Sequence, residues 1–147
     1  MFDISFRDEP IDELEPCVTE GFGRITIGDF REDLSINLFS WNQDRYKQQW
    51  KAAVARLVSG ADKSALIVEY VEPPHSHNAW LWPMYREGSS VYIQNRLLFF
   101  DQLQSPFSPD SPWDSIGERS TVSSTGDPIS EWVTSVDSLQ DFLKRID

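Results

Sequence analysis

The segment from Asn42 to Val58 constrains the fold more than any other part of the sequence. Its apolar residues recur at the spacing of an α-helix and form one stripe along it. The stripe comprises Tyr46, Trp50, Ala53, Val54, Leu57 and Val58. Ser40 and Gln43 have the spacing of a capping box at the start, and Gly60 follows as a helix stop. A helix with one apolar side must bury it against another layer, which the rest of the chain has to supply.

Runs of strand-forming residues on both sides of this helix predict that second layer. The predicted strands are Phe2–Phe6, Phe22–Phe30, Leu34–Leu38, Ser64–Tyr70, Ala79–Arg86, Val91–Phe100 and Ile129–Val133. The acidic, proline-containing stretch from Arg7 to Glu20 is predicted to be a loop, and a second helix begins at about Val136. Short connections between neighbouring strands favour antiparallel pairing. We therefore predict an α+β fold with an antiparallel sheet of six to seven strands and two main helices, in a single domain over residues 1–147.

Two further details follow from the same patterns. Pro83 lies inside a predicted strand, which indicates either an edge strand or a bulge, because proline has no N–H to donate to a neighbour. Trp41, Trp50 and Trp132 lie in patterned elements, so we expect all three in the core.

The acidic residues are concentrated at the two ends of the chain. The sequence contains 24 acidic and 13 basic residues, which gives a net charge of −11. Residues 1–33 carry a net charge of −7, residues 34–100 carry +2 and residues 101–147 carry −6. Such a field repels phosphate backbones and anionic lipid, and it speeds association with cationic partners. Acidity also serves solubility, and composition alone does not distinguish solubility from binding.

Cysteine usage and hydropathy indicate a cytoplasmic protein. Cys17 is the single cysteine, so it cannot form an intramolecular disulfide. The first residues lack the basic and apolar regions of a signal peptide, and no apolar run approaches the roughly 20 residues that span a bilayer. We expect neither a membrane partner nor secretion.

The sequence offers little support for catalysis or for a metal. Glu72, His75 and His77 could be metal ligands, but a closed zinc site needs about four, and the chain has only these two histidines. A nucleophilic pair of Cys17 with either histidine would require a thiolate, which its acidic neighbours disfavour. The adjacent carboxylates are Asp8–Glu9, Asp12–Glu13 and Glu32–Asp33, and such runs are usually a solvated face. We therefore predict no enzyme activity, no metal and no cofactor.

The aromatic residues of the fifth and sixth predicted strands allow two interpretations. Trp80, Trp82, Tyr85 and Tyr92 could form a platform on which the bases of a single-stranded nucleic acid stack. That platform would need basic side chains to hold the backbone, and the net charge opposes this. Burial of these rings in the core is the simpler interpretation. Binding of another protein through acidic loops and a few exposed aromatic residues fits the composition better.

Seven segments, in this order and at these spacings, resemble one family. They are Ile27–Phe30, Trp41 through Tyr46 to Trp50, Lys63–Leu66, Trp82–Tyr85, Val91–Asn95, Phe107–Asp110 and Ile129–Trp132. The likeness runs from about residue 20 to the C-terminus. The chain is similar to the immunity proteins of contact-dependent growth inhibition, of the type described with an Enterobacter toxin.

This resemblance implies a function and refines the expected fold. Such proteins stay in the cytoplasm and bind the C-terminal toxin domain of a secreted exoprotein. In the similar Enterobacter system that domain is a ribonuclease acting on ribosomal RNA, and the immunity protein blocks its active site. The resemblance also implies a strongly bent antiparallel sheet, likened to the Whirly fold. The expected partner is a basic toxin domain in a 1:1 complex, and a sheet-based binder of single-stranded nucleic acid is the alternative.

We expect the toxin to be contacted by acidic residues of the first predicted hairpin and of the long irregular segment Gln104–Gly126. A nuclease cleft must attract phosphate and is therefore basic, so carboxylates can take the place of that phosphate. The expected contact residues are Asp29, Glu32 and Asp33 in the hairpin, and Asp110, Trp113 and Asp114 in the long segment. Trp113 is the expected aromatic anchor, with burial in the core as its alternative.

Overall fold

The described strands form two antiparallel sheets. The computed structural model describes residues 1–7 and 20–146. The first sheet has the order β1-β2-β3, and the second has the order β4-β5-β6-β8, with β7 also paired to β5. The strands are β1 (Phe2–Arg7), β2 (Glu20–Ile27), β3 (Phe30–Asn37), β4 (Lys63–Tyr70), β5 (Asn78–Glu87), β6 (Ser90–Gln94), β7 (Arg96–Phe99) and β8 (Glu131–Ser135). The α+β prediction is confirmed, while the predicted loop at Arg7–Glu20 lies mostly outside the described residues.

The strand count rises to eight because the predicted strand Val91–Phe100 is divided. Its two parts, β6 and β7, are separated by Asn95, and both pair with β5. Leu81 pairs with β7 and Met84 pairs with β6, so Trp82 and Pro83 lie opposite the break. Proline cannot donate a ladder hydrogen bond, and the interruption of pairing falls beside it. The strand that contains Pro83 is central, so the edge-strand interpretation was wrong.

Two α-helices cover the sheets. Helix α1 spans Gln43–Val58 and helix α2 spans Val136–Arg145. The predicted capping box was wrong, because the side chain of Asn42 caps α1 by accepting a 2.9 Å hydrogen bond from the Arg45 amide. Asparagine caps a helix as well as serine does. The Ser40 hydroxyl accepts instead from the Glu72 amide at 2.9 Å. No helix in the described part of the chain is both long and apolar enough to cross a membrane.

Helix α1 is joined to the second sheet by apolar burial and by buried hydrogen bonds. Trp50 is fully buried and donates its indole N–H to the Ile67 carbonyl at 2.8 Å. Gln49 bonds to the Ala65 carbonyl through its amide nitrogen at 2.9 Å and to the Ile67 amide through its oxygen at 2.8 Å. These bonds satisfy polar groups that burial would otherwise penalise. The core prediction is confirmed for Trp50 and Trp41, which is 6% exposed.

The first hairpin contacts the second sheet near its turn. Phe30 stacks on Trp132, with ring centroids 4.1 Å apart, and lies 6.3 Å from Trp82. Trp132 is half-buried and packs against the core, as expected of it. Trp80, two residues before Trp82 on the same side of β5, remains 39% exposed. The hairpin therefore covers one end of this face and leaves the other end open.

Candidate functional site

A groove separates strand β3 from the open end of the second sheet. It encloses about 310 Å³ and is lined by Glu32, Asp33, Leu34, Ser35, Val68, Glu69, Trp80, Trp82 and Asn95. A neighbouring depression of about 490 Å³ is lined by Asn37, Phe39, Glu69, Val71, His75, Ser76 and Asn78. The two depressions adjoin at Glu69, which lines both, and together we call them the acidic groove. Phe39, 62% exposed, and Trp80 are its exposed aromatic residues.

The structure places two of the predicted hairpin acids at the rim of the acidic groove. Glu32 and Asp33 lie in β3, whereas Asp29 lies in the exposed β2–β3 turn beside Gly28. Gly28 has a φ of +60°, a left-handed conformation that suits glycine in such a tight turn. The three acids therefore share one hairpin, but only two of them border the groove.

Asp33 already has partners within the chain. It accepts hydrogen bonds from Arg24 Nε at 2.8 Å and from Arg7 Nη1 at 3.4 Å. The Arg24 hydrogen bond is the main reason why the pKa of Asp33 lies below its usual value. Glu32 is exposed and lies one position before Asp33 in β3. It forms no ion pair with any residue of the described ranges. Glu32 therefore has more free charge to offer a partner than Asp33.

Glu69 is a groove residue that the sequence did not single out. Its side chain is half-buried, and burial, followed by the nearby charge of Glu20, raises the pKa of its carboxyl. Glu20 in turn accepts a hydrogen bond from the Ser35 hydroxyl. The pairing register of β4 shifts between Ile67 and Glu69, and this bulge disturbs the alternation that would have marked Glu69 as facing the groove. The sequence signal that could have identified Glu69 is a single acid directly after the apolar run Ala65–Val68.

Two of the predicted residues of the long segment, Asp110 and Trp113, contact side chains of helix α1. Asp110 pairs with Arg45 Nη2 at 3.0 Å, and Arg45 also stacks over the Trp41 ring at 4.2 Å. Trp113 is half-buried and lies under the Arg56 guanidinium at 4.3 Å, in contact with the core. Asp114 is exposed. The two predicted clusters are thus held by different elements, the first hairpin and α1.

Arg119 is one of the residues that join the long segment to the second sheet. Arg119 donates to both carboxylate oxygens of Glu131, from Nε at 2.9 Å and from Nη2 at 2.6 Å, and it stacks over Tyr92 at 3.8 Å. Gln94 donates to Glu131 Oε2 at 2.8 Å and to the Ser120 carbonyl at 2.9 Å. We call these residues the Arg119 clasp. The Arg119 hydrogen bond holds the pKa of Glu131 below its usual value.

The four aromatic residues of the nucleic-acid interpretation do not form one exposed platform. Trp82 and Tyr85 are 2% and 6% exposed, and Tyr92 is covered by Arg119. Tyr85 pairs with Tyr92, so both lie on the side of the sheet opposite Trp80 and Trp82. Only Trp80 of the four presents an exposed ring. Base stacking on this set is therefore disfavoured.

Among the described residues, the candidate metal ligands are not gathered into a site. His75 packs edge-on against Phe39, with ring centroids 5.8 Å apart. Within residues 1–7 and 20–146, no group of three or more His, Cys, Asp and Glu side chains could hold a metal ion. Cys17 and the pairs Asp8–Glu9 and Asp12–Glu13 lie outside the described residues.

Comparison with known proteins assigns the family. The model of the CdiI N-terminal domain family matches residues 36–142. The chain is 32% identical, over 146 residues and 99% of both proteins, to the immunity protein CdiI of Enterobacter cloacae. It is also similar to a chain of the solved CdiA-CT/CdiI toxin and immunity complex from Enterobacter cloacae, with a TM-score of 0.85, 31% identity and coverage of 99% and 98% of the two chains. The resemblance read from the sequence is confirmed, and this chain belongs to the CdiI immunity protein family of contact-dependent growth inhibition.

Proposed function

We propose that this protein binds the toxin domain of a contact-dependent growth inhibition exoprotein and neutralises it. The observation that carries the proposal is a similarity extending over 99% of the chain to a chain of a toxin and immunity complex. The similarity spans the whole fold and not a fragment of it, and this extent supports the same kind of partner. The protein acts in the cytoplasm as a stoichiometric inhibitor without turnover, metal or cofactor.

The partner that fits the charge distribution is a basic nuclease domain, which the resemblance implies is a ribonuclease. The acidic groove and the net charge of −11 favour a cationic surface and disfavour nucleic acid itself. Carboxylates placed over a basic cleft compete with the phosphates of the substrate, so binding there blocks the active site. A 1:1 complex follows if one groove covers one cleft.

The hairpin acids and the long segment differ in what they can contribute. Glu32 offers a charge at the rim that no basic side chain of the described residues pairs with, while Asp33 must share its charge with Arg24. Asp29 adds an exposed charge at the turn. A second toxin contact, beside α1, comprises Asp110, Trp113 and Asp114. The exposed part of the Trp113 ring is available there to the toxin. We expect the hairpin to contribute more of the electrostatic attraction than the long segment.

Charge reversal of the two clusters tests this assignment. The variant with Asp29→Lys and Glu32→Lys is expected to weaken affinity for the cognate toxin domain by at least about tenfold, because two attractive contacts become repulsive. The variant with Asp110→Lys and Asp114→Lys is expected to show a smaller loss. Surface plasmon resonance at two salt concentrations measures both, and the association rate should fall more than the dissociation rate rises. The matched control is Asp137→Lys with Asp141→Lys on α2, which is expected to change affinity little. Unchanged affinity for both cluster variants would contradict the assignment.

A further inference from the structure

A half-buried carboxylate, Glu69, and an exposed indole, Trp80, lie side by side in the acidic groove. They are directly opposite each other on the antiparallel strands β4 and β5, so their side chains leave the same face of the sheet. Both line the groove. Trp80 is 39% exposed although indole rings are usually buried, and Glu69 is half-buried although ionised carboxylates favour water.

The protein itself shows what such a pair accommodates. Arg45 stacks over Trp41 at 4.2 Å while donating to Asp110 at 3.0 Å. A guanidinium can do both at once, because its flat face suits an aromatic ring and its edge carries the N–H donors. The Arg119 clasp repeats the arrangement, with Tyr92 as the ring and Glu131 as the carboxylate. An arginine between a ring and a carboxylate is therefore a recurrent structural unit here.

No basic side chain of this chain completes the unit at Glu69 and Trp80. Across the described residues, no Lys or Arg pairs with Glu69 or stacks on Trp80. Residues 8–19 and 147 contain neither Lys nor Arg. A cation at this position has to come from a partner.

The surroundings of Glu69 favour a cation over any other occupant. The charge of Glu20 acts on the Glu69 carboxyl, and Glu32 and Asp33 line the same groove as Glu69. Burial and the Glu20 charge make the ionised form of Glu69 unfavourable in the free protein, which is why its pKa is raised. A guanidinium placed there would relieve this repulsion and satisfy the carboxylate with two N–H groups.

We propose that Glu69 and Trp80 anchor an arginine side chain of the toxin domain. The inference rests on the proposed toxin-neutralising function. It places one toxin contact in the groove between the two sheets. Arginine suits the site better than lysine, because only the guanidinium has a flat face for the indole together with a fork for the carboxylate. Tryptophan and arginine are also the side chains that most often dominate binding energy at interfaces.

The test uses the purified C-terminal toxin domain of the cognate contact-dependent growth inhibition exoprotein as the probe. Glu69→Gln and Trp80→Ala are each expected to weaken its binding by about 30-fold, the loss typical of an interface hot spot. The matched controls are Asp141→Asn, which removes an exposed carboxylate on α2, and Val133→Ala, which trims a 55% exposed side chain on β8. Both controls are expected to stay within about twofold of wild type.

Thermal unfolding of the free protein separates an anchor from a structural role. Because the folded-state pKa of Glu69 is raised, its ionisation destabilises the folded state as pH rises above the unfolded value of about 4.3. Glu69→Gln is therefore expected to raise Tm at pH 7 while it lowers affinity, and the Tm difference should shrink below pH 4. A lowered Tm at pH 7 would assign Glu69 a structural role and overturn the proposal.

The remaining outcomes distinguish this proposal from the proposed function. If wild type binds and inhibits the toxin while Glu69→Gln and Trp80→Ala bind within twofold of it, the anchor is wrong and toxin neutralisation stands. Absence of wild-type binding would remove both. In double-mutant cycles, one arginine of the toxin is expected to couple to Glu69→Gln, and the lack of any such arginine would overturn the proposal. Micromolar binding of a 20-nucleotide single-stranded RNA at physiological salt, lost in Trp80→Ala, would assign this face to nucleic acid and would equally overturn it.

Discussion

Replacement of Trp50 by alanine is expected to lower the free energy of unfolding by about 4 kcal/mol. The ring is fully buried, stacks on Phe6 at 5.1 Å and bonds to the Ile67 carbonyl at 2.8 Å. Truncation leaves a cavity between α1 and the two sheets, and large-to-small changes of buried aromatic residues cost about 3–5 kcal/mol. The Ile67 carbonyl also loses its indole donor. Urea denaturation followed by circular dichroism measures the difference.

Two control variants separate the contributions at Trp50. Trp50→Phe keeps a ring against Phe6 but removes the N–H, so a loss of about 1–2 kcal/mol is expected. Phe39→Ala removes a 62% exposed ring and is expected to cost less than about 1 kcal/mol. An equal loss for Trp50→Ala and Phe39→Ala would contradict the described packing of α1.

Replacement of Arg119 by alanine is expected to cost about 2 kcal/mol of stability and to loosen the long segment. The side chains of Arg119 and Glu131 are 25% and 16% exposed, so their ion pair is screened less than a surface pair. Its loss leaves the Glu131 carboxylate without a cation and uncovers Tyr92. In the Arg119→Ala variant, hydrogen exchange is expected to accelerate, relative to wild type, more in residues 117–130 than in α1. Urea denaturation measures the total loss of free energy of unfolding.

The pH dependence of the same pair supplies an independent check. The pKa of Glu131 is held below its unfolded value, so the pair stabilises the protein above about pH 4.3 and less as pH falls through the folded-state pKa. Arg119→Ala is expected to reduce this acid dependence. Arg119→Lys keeps the charge but loses the two-pronged contact and the flat face, and an intermediate stability is expected. Wild-type stability and exchange in Arg119→Ala would contradict the role of the clasp.

Periodicity predicted the elements of this fold but not how they are joined. The helical stripe from Tyr46 to Leu57 and the alternating strands are local patterns created by burial of one side, so they are visible in the sequence. The division of the predicted strand at Asn95 depends on its register against Trp82 and Pro83, which are remote in sequence. Sequence patterns carry little information on such register, and the count of eight strands required the structure.

The candidate site could likewise be predicted only in part, because its contacts depend on strand register. The acids of the first hairpin were predicted from charge alone, yet the pairing of Asp33 with Arg24 depends on the β2–β3 register. The sequence pattern did not predict Glu69 as a site residue, because a bulge in β4 changes the face of the sheet from which its side chain projects. The Arg119–Glu131 pair closes across 12 positions of irregular chain, a contact that no local pattern encodes.

Titration of a ribonuclease assay with this protein tests its central role most directly. The probe is the purified C-terminal domain of the cognate exoprotein, with ribosomal RNA as substrate. We predict that cleavage falls linearly with added protein and stops at one equivalent, and that a 1:1 complex elutes on size exclusion. Cleavage that continues at a tenfold excess of this protein, with no complex formed, would contradict neutralisation of the toxin.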